Sequence, residues 1–157
     1  MTTVRAGENE RPVWRWVAAG LALLGLLDSL YLSWVKLAGA TASCSGIGDC
    51  ESVNNSRYAE IYGVPVAVLG AGLYGLVLVL LSLEGRLLKG RETIKMVVFG
   101  VSLGGVLYSA YLTYVEVAVL RAICPFCVVS AIVLVALLGI SVIRLRELRE
   151  DDETGRE

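Results

Sequence analysis

Apolar residues along the chain fall into four long blocks that are separated by short polar segments. The blocks cover about residues 13–37, 64–83, 96–119 and 125–143. Each is close to the roughly 20 residues that a helix needs to cross about 30 Å of hydrocarbon. Because lipid offers the backbone no hydrogen-bond partners, each block is predicted to form a helix. The pattern predicts an all-α integral membrane protein with one four-helix bundle domain over residues 1–157.

Composition supports this prediction and narrows the chemistry. Hydrophobic residues make up 56% of the chain, against about 45–50% in soluble domains. Histidine is absent, which removes the commonest metal ligand and the commonest general base. Any chemistry must therefore use thiols, carboxylates or tyrosines, and we expect neither a metal site nor a nucleic-acid partner.

Basic residues are divided unequally between the two ends of the predicted helices. The end with both termini and the 84–95 loop carries eleven of the 14 basic residues: Arg5, Arg11, Arg15, Arg86, Lys89, Arg91, Lys95, Arg144, Arg146, Arg149 and Arg156. The opposite end carries Lys36, Arg57 and Arg121. Since cytoplasmic loops carry the excess of Lys and Arg, both termini are predicted to be cytoplasmic. The outer loop 38–63 and the short connection 117–124 then face outward.

Small residues recur at four-residue spacing on two of the predicted helices. Ala67, Ala71 and Gly75 lie on the second helix, and Gly100 and Gly104 on the third. Small side chains at this spacing let helix backbones approach closely in a membrane. We therefore expect these positions to lie at helix–helix contacts.

All four cysteines fall at the outer end of the predicted bundle. Cys124-Pro125-Phe126-Cys127 is a C-x-x-C motif at the start of the fourth helix. Pro125 suits the first helical turn, where its missing N–H would have no partner anyway. A thiol at a helix N-terminus has its thiolate form favoured by the unpaired N–H groups and the helix dipole. The motif predicts a pair that can close into a disulfide and reopen.

A second cysteine pair, Cys44 and Cys50, lies in the outer loop with a glycine-containing spacer. Disulfides persist outside the cytosol, and two pairs on one face could exchange a disulfide in sequence. The alternative is a non-catalytic four-helix membrane protein in which the two pairs are structural disulfides. Zinc or an iron–sulfur cluster held by four thiolates is a further alternative, which the outer location and the flexible spacer disfavour.

The ordered motifs of the chain resemble the vitamin K epoxide reductase family, in its bacterial quinone-reducing branch. The resemblance covers nearly the whole chain and rests on the following residues: Ser29-Leu30-Tyr31-Leu32, Cys44, Cys50, Val53, Ser56, Gly63-Val64-Pro65, Leu69-Gly70, Ser109-Ala110-Tyr111-Leu112-Thr113-Tyr114 and Cys124 to Cys127. It implies a four-helix bundle around a quinone, capped by the first outer loop with its short helix.

The resemblance also implies a role for each cysteine and a set of quinone-binding positions. Cys44 would exchange with a partner protein, Cys50 would attack Cys124, and Cys127 would face the quinone. Ser56 would help to order the cap or the site. The implied quinone-binding residues are Ser56, Tyr58, Leu69, Leu73, Tyr74, Tyr111, Leu112 and Phe126.

The function implied by the resemblance is that of a membrane thiol–disulfide oxidoreductase of the bacterial inner membrane. Electrons would pass from an extracytoplasmic thioredoxin-like (DsbA-like) protein through both cysteine pairs to ubiquinone or menaquinone. The chain stops at Glu157 without a thioredoxin-like domain, so we expect the partner to be a separate protein. Val66 and Ala131 stand where animal members carry an asparagine and a tyrosine, which favours plain quinone reduction over epoxide reduction.

The other four-helix quinone oxidoreductase, of the disulfide-bond-formation B type, is the runner-up within this class. It carries its C-x-x-C in the first outer loop and a separated pair in the second. Here the order of the two pairs is reversed, which disfavours that interpretation.

Asp28 is an ionisable residue inside the first apolar block. A charged group is costly at this depth, and such residues are functional by default. One interpretation is a structural polar contact with Ser29, Tyr31 or a tyrosine of the third helix. The other is that Asp28 supplies protons to a reduced quinone.

Overall fold

The computed structural model describes residues 12–39, 50–86 and 90–154. Its elements, in chain order, are α1 (Pro12–Leu37), α2 (Cys50–Asn54), a 3-10 turn (Arg57–Ala59), β1 (Glu60–Ile61), β2 (Val64–Pro65), α3 (Val66–Arg86), α4 (Arg91–Tyr114), a π-helix (Val115–Leu120) and α5 (Pro125–Thr154). Cys44, both termini and Lys89 lie outside the described residues.

Four long helices form a ring in which each contacts two neighbours. α1 packs against α3 and α5, and α4 packs against the same two helices. All four are long and apolar enough to cross a membrane. The predicted all-α membrane bundle with a short-helix cap is confirmed, since α2 lies in the outer loop.

The helix boundaries differ from the predicted ones for local reasons. α3 begins at Val66 because the two residues before it pair as a strand. α4 begins at Arg91, and the π-helix continues it to Leu120, so that the predicted 117–124 connection shrinks to residues 121–124. α5 continues beyond the predicted membrane block 125–143 through the polar tail to Thr154.

Apolar side chains fill the half of the bundle that lies away from the cysteines. The buried members of this core are Ala18, Ala22, Tyr74, Val77, Leu81, Val98, Val133, Leu134, Leu137 and Ile140. Large apolar side chains on the outward faces, such as Leu27, Leu107 and Ile132, are exposed. This distribution suits a bundle surrounded by hydrocarbon, where lipid is as apolar as the core itself.

A buried ion pair joins α3 to α5 at the end of the bundle that was predicted to be cytoplasmic. Arg144 donates a hydrogen bond to Glu84, and both side chains are almost completely buried. The guanidinium of Arg15, on α1, lies against Gly85. Since burial of an unpaired charge is expensive, loss of either partner of the pair would leave a costly charge behind.

Glycine contacts in the bundle differ from the predicted ones. A Cβ atom built at Gly75, Gly100 or Gly104 would meet nothing within 4 Å, so the prediction of close helix contacts at these positions is wrong. Close contacts occur instead at positions such as Gly25, which lies under the ring of Tyr74, and Gly105, where a Cβ would lie 2.9 Å from Leu134 and 3.3 Å from Leu73. The spacing of small residues cannot identify these positions, because each is set by large side chains on neighbouring helices.

The cap over the outer end is built from α2, the 3-10 turn and a two-stranded hairpin. Ile61 pairs with Val64 across a turn formed by Tyr62 and Gly63, both of which have positive φ. A two-residue hairpin turn with two positive φ angles matches the twist of its strands. Lys36, at the end of α1, forms an ion pair with Glu60 of β1 at 3.2 Å, which attaches the hairpin to the bundle.

We predict that Gly25→Ala destabilises the bundle by about 1–3 kcal/mol, the usual cost of overpacking. The Tyr74 ring cannot move aside easily, because it is buried and its hydroxyl is hydrogen-bonded to Ser130. The measurement is unfolding in detergent with an increasing fraction of SDS. Gly20→Ala, on the same helix with open space around its Cβ position, is the matched control. Equal stability of the two variants would contradict the prediction.

Candidate thiol site and cavity

The C-x-x-C motif lies where α4 and α5 join at the outer end of the bundle. The Cys124 carbonyl accepts a hydrogen bond from the Val128 amide at 3.1 Å, and Pro125 opens the helix. Cys124 therefore directly precedes the first turn, and Cys127 lies within it. The Cys124 side chain is buried and that of Cys127 is half-buried.

Glu116, in the π-helix, organises the turn that leads to Cys124. Its carbonyl accepts hydrogen bonds from the amides of Arg121 and Ala122. Its carboxylate accepts the amide of Cys124 at 3.2 Å. Sequence reasoning missed this residue, although an acidic side chain in an apolar block eight positions before a C-x-x-C was the available signal.

The loop cysteine Cys50 and the helix cysteine Cys124 are in direct contact. Cys50 opens α2, and both side chains are only 1% exposed. The thiol of Cys124 points at the Cys50 sulfur, with 3.7 Å between the two Sγ atoms. Cys50 is disulfide-bonded, whereas Cys124 and Cys127 are free thiols. A free thiol therefore lies within contact distance of a disulfide sulfur, which is the arrangement that thiol–disulfide exchange requires.

The surroundings of Cys124 favour its thiolate form. A hydrogen bond from the Cys127 thiol lowers the pKa of the Cys124 thiol below its ordinary value, although burial and the charge of Glu116 act in the opposite direction. Since the thiolate is the nucleophile in exchange, the lowered pKa makes Cys124 the more reactive member of the pair toward Cys50.

A cavity of about 310 Å³ lies between the helices beneath the cap. Cys124, Cys127 and Glu116 line it at the outer rim. Seven of the eight residues proposed for quinone binding also line it: Ser56, Tyr58, Leu69, Leu73, Tyr74, Leu112 and Phe126. The walls are mainly apolar, which is typical of pockets that hold a small apolar ligand.

Tyr111 is the exception among the eight residues. The cavity is lined by α4 residues at helical spacing, including Tyr108 and Leu112. Tyr111 lies on a different face of the helix and is half exposed, with its ring centroid 6.2 Å from that of Tyr108. The structure therefore does not bring Tyr111 to the cavity, because helical periodicity turns it outward.

A few polar groups interrupt the apolar cavity wall. Ser56 donates a hydrogen bond to the Val53 carbonyl at 2.8 Å, which closes the end of α2. The Tyr74 hydroxyl and the Ser130 Oγ lie 2.8 Å apart and are hydrogen-bonded. Asp28 lines the cavity, and its Oδ2 atom is buried without a hydrogen-bond partner among the described residues.

Comparison with known proteins identifies the family of the chain. Residues 16–142 match the model of the vitamin K epoxide reductase family. The chain belongs to this family. A relative within the comparison is the thiol-disulfide oxidoreductase LTO1 of Arabidopsis thaliana, which is 35% identical over 133 residues. The match covers 80% of this chain and 35% of the plant protein, so the chain spans about a third of that relative.

We predict that Cys50 and Cys124 form a disulfide readily when they are the only cysteines left. Cys44→Ser combined with Cys127→Ser leaves this pair, whose sulfurs are already in contact. Cys44→Ser combined with Cys124→Ser leaves Cys50 and Cys127 and serves as the control. A mild oxidant should close the first pair at least about tenfold faster than the second. The reason is that the Cys50 and Cys124 sulfurs are already in contact and need no rearrangement to react. Mass spectrometry of alkylated peptides measures both rates, and equal rates would contradict the geometry.

Proposed function

We propose that this chain is a membrane thiol–disulfide oxidoreductase that passes electrons from a dithiol protein to a quinone. Electrons would enter at Cys44 and Cys50, move to Cys124 and Cys127, and leave to a quinone in the cavity. The observation that carries the proposal is the free thiol of Cys124 at 3.7 Å from the sulfur of disulfide-bonded Cys50. The family and the name of the plant relative support the same reaction class.

The contact between the two cysteine pairs favours a relay over two structural disulfides. A structural pair is normally closed and separated from other thiols. Here Cys124 and Cys127 are both free thiols, and Cys124 lies against the sulfur of disulfide-bonded Cys50. In this state the C-x-x-C pair is reduced and Cys50 is oxidised. The loop cysteine can therefore accept electrons from a partner dithiol.

The cavity favours a quinone as the electron acceptor. Its volume of about 310 Å³ and its apolar walls suit a quinone ring, and Cys127 lies at its rim. A quinone accepts two electrons, which is the number that oxidation of a dithiol to a disulfide releases. Leu69, Leu73 and Leu112 would contact the ring from two helices, and Phe126, packed on Tyr31 with centroids 5.2 Å apart, would close the outer side. Ubiquinone and menaquinone both fit this description.

The partner and the compartment follow from the position of the cap. We place the cysteines on the extracytoplasmic face of a bacterial inner membrane, because the opposite end carries most of the basic residues. The electron donor would be a separate thioredoxin-like (DsbA-like) protein, reacting with the outer loop. The chain would thereby support disulfide bond formation outside the cytoplasm.

The proposal is tested with purified protein, a reduced thioredoxin-like protein and a soluble short-chain quinone. We expect the wild-type chain to reduce the quinone over many turnovers. Cys127→Ser should abolish quinone reduction, because the thiol that lies at the cavity is lost. Cys44→Ser is the informative control: after chemical reduction it should still reduce one equivalent of quinone, yet lose turnover with the partner. Quinone reduction by Cys127→Ser at the wild-type rate would contradict the proposal.

We predict that Asp28→Asn slows quinone reduction by about 10²-fold, the lower end of the range for loss of a proton-transferring group. Its unpartnered Oδ2 in the cavity suits a role in supplying protons to the reduced quinone. Exchange between the two cysteine pairs should be unaffected, since it depends on the direct contact between the Cys50 and Cys124 sulfurs. The two rates are measured separately by quinone absorbance and by thiol alkylation. Unchanged quinone turnover with lower thermal stability would leave Asp28 a structural role only.

A further inference from the structure

Glu116 is a buried acidic residue for which structural packing gives an incomplete account. Its side chain is 4% exposed. Within the described ranges, no Lys or Arg side chain forms an ion pair with it. Burial of a carboxylate without a cation is expensive unless hydrogen bonds compensate. A neutral residue could line the same turn at a lower free-energy cost of burial. Structural packing therefore does not explain why this position carries a carboxylate.

The surroundings of Glu116 are the thiols of the C-x-x-C pair. Its Oε2 atom accepts the amide of Cys124 at 3.2 Å. The carboxylate also interacts electrostatically with both the Cys124 and the Cys127 side chains. It lines the same cavity as both cysteines. Glu116 is thus a carboxylate in contact with the dithiol.

Oxidation of the dithiol must dispose of two protons from thiols that are buried or half-buried. A thiolate is the species that reacts, so each thiol must lose its proton first. Without histidine in the chain, the proton acceptor must be a carboxylate, water or the oxidant. The Glu116 carboxylate suits this task, because it contacts the Cys124 amide and lines the same cavity as both thiols.

We propose that Glu116 accepts the thiol protons of the Cys124–Cys127 pair when that pair is oxidised. This inference rests on the proposed function, because it assumes that the pair cycles between dithiol and disulfide. One thiol proton moves to the Glu116 carboxylate and leaves a thiolate. Closure of the sulfur–sulfur bond then transfers two electrons to the oxidant, a quinone or a disulfide. Glu116 then gives up each proton to water. A quinone oxidant takes up two protons as it is reduced, and a disulfide oxidant leaves as two thiolates that take up two protons.

A purely structural role makes a different prediction. If Glu116 only holds the 121–124 turn through the Cys124 amide, any hydrogen-bond acceptor of the same shape should serve. The amide oxygen of Gln can accept the same N–H, but a carboxamide cannot take up a thiol proton. Glu116→Gln therefore separates a proton acceptor from a positioning residue, and Glu116→Ala removes both functions.

The experiment measures disulfide closure in full-length protein that carries Cys44→Ser and Cys50→Ser, so that only the C-x-x-C thiols remain. A small aromatic disulfide serves as the oxidant at pH 7, and no quinone or partner is present. Closure is followed by release of the aromatic thiol. Glu116→Gln, Glu116→Ala and Glu116→Asp are compared in this background. Glu92→Gln, at an exposed position near the start of α4, is the matched control.

We expect Glu116→Gln to slow closure by about 10²-fold or more, the range for loss of a general base. Glu116→Asp should recover part of that rate because the carboxylate is retained, and Glu92→Gln should leave the rate unchanged. The proposal would be overturned if Glu116→Gln closed at the parent rate while Glu116→Ala closed slowly. That result would leave Glu116 the role of positioning Cys124 only. If Glu116→Gln also lowers thermal stability, the comparison with Glu116→Asp decides. Closure in Glu116→Asp that is as slow as in Glu116→Gln would overturn the proposal. Since no quinone is used, failure of quinone reduction leaves this outcome unaffected.

Discussion

The contact between the sulfurs of Cys50 and Cys124 depends on a single turn at the outer end of the bundle. α4 does not simply stop at Tyr114, because the next six residues form a π-helix (Val115–Leu120) that ends with Arg121 in the left-handed conformation. π-helical turns inside longer helices are uncommon and occur frequently at functional sites. The turn brings the chain back at Cys124, and the backbone and side chain of Glu116 hold it through three N–H groups. Without that geometry the C-x-x-C motif would still begin a helix, but it would not meet the loop cysteine.

The bundle separates into two halves with different physical tasks. The half away from the cysteines is filled by apolar side chains and joined by the buried Glu84–Arg144 pair. The half beneath the cap is left open as a cavity with a few polar groups on its walls. A cavity of this size in a protein interior costs packing energy, and the cap closes it only from the outer side. The open half is therefore consistent with a site that admits a ligand, while the filled half supplies the stability.

Much of this architecture could be predicted because lipid imposes strong rules on a sequence. The length of each apolar block decides where a helix can cross, since lipid cannot satisfy a backbone N–H. The position of Pro125 decides where α5 begins, because proline suits the first helical turn and interrupts later ones. Predictions failed where partners from other helices decide the outcome. Gly25 and Gly105 are contact positions only because Tyr74 and Leu134 lie opposite them, and Tyr111 misses the cavity because α4 turns it outward.

The sequence by itself determined the four membrane helices and the family to which the chain belongs, and the resemblance already implied that Cys50 reacts with Cys124 and that Tyr74 lines the pocket. The helices and the family follow from features that are local or ordered along the chain, so apolar block length and motif order are sufficient to specify them. Only the tertiary structure decided that the Cys50 and Cys124 sulfurs lie 3.7 Å apart, that Asp28 shares one cavity with Tyr74, and that Glu116 lies against the thiols. These features depend on distances between side chains, which are set by how four helices pack and how one turn widens.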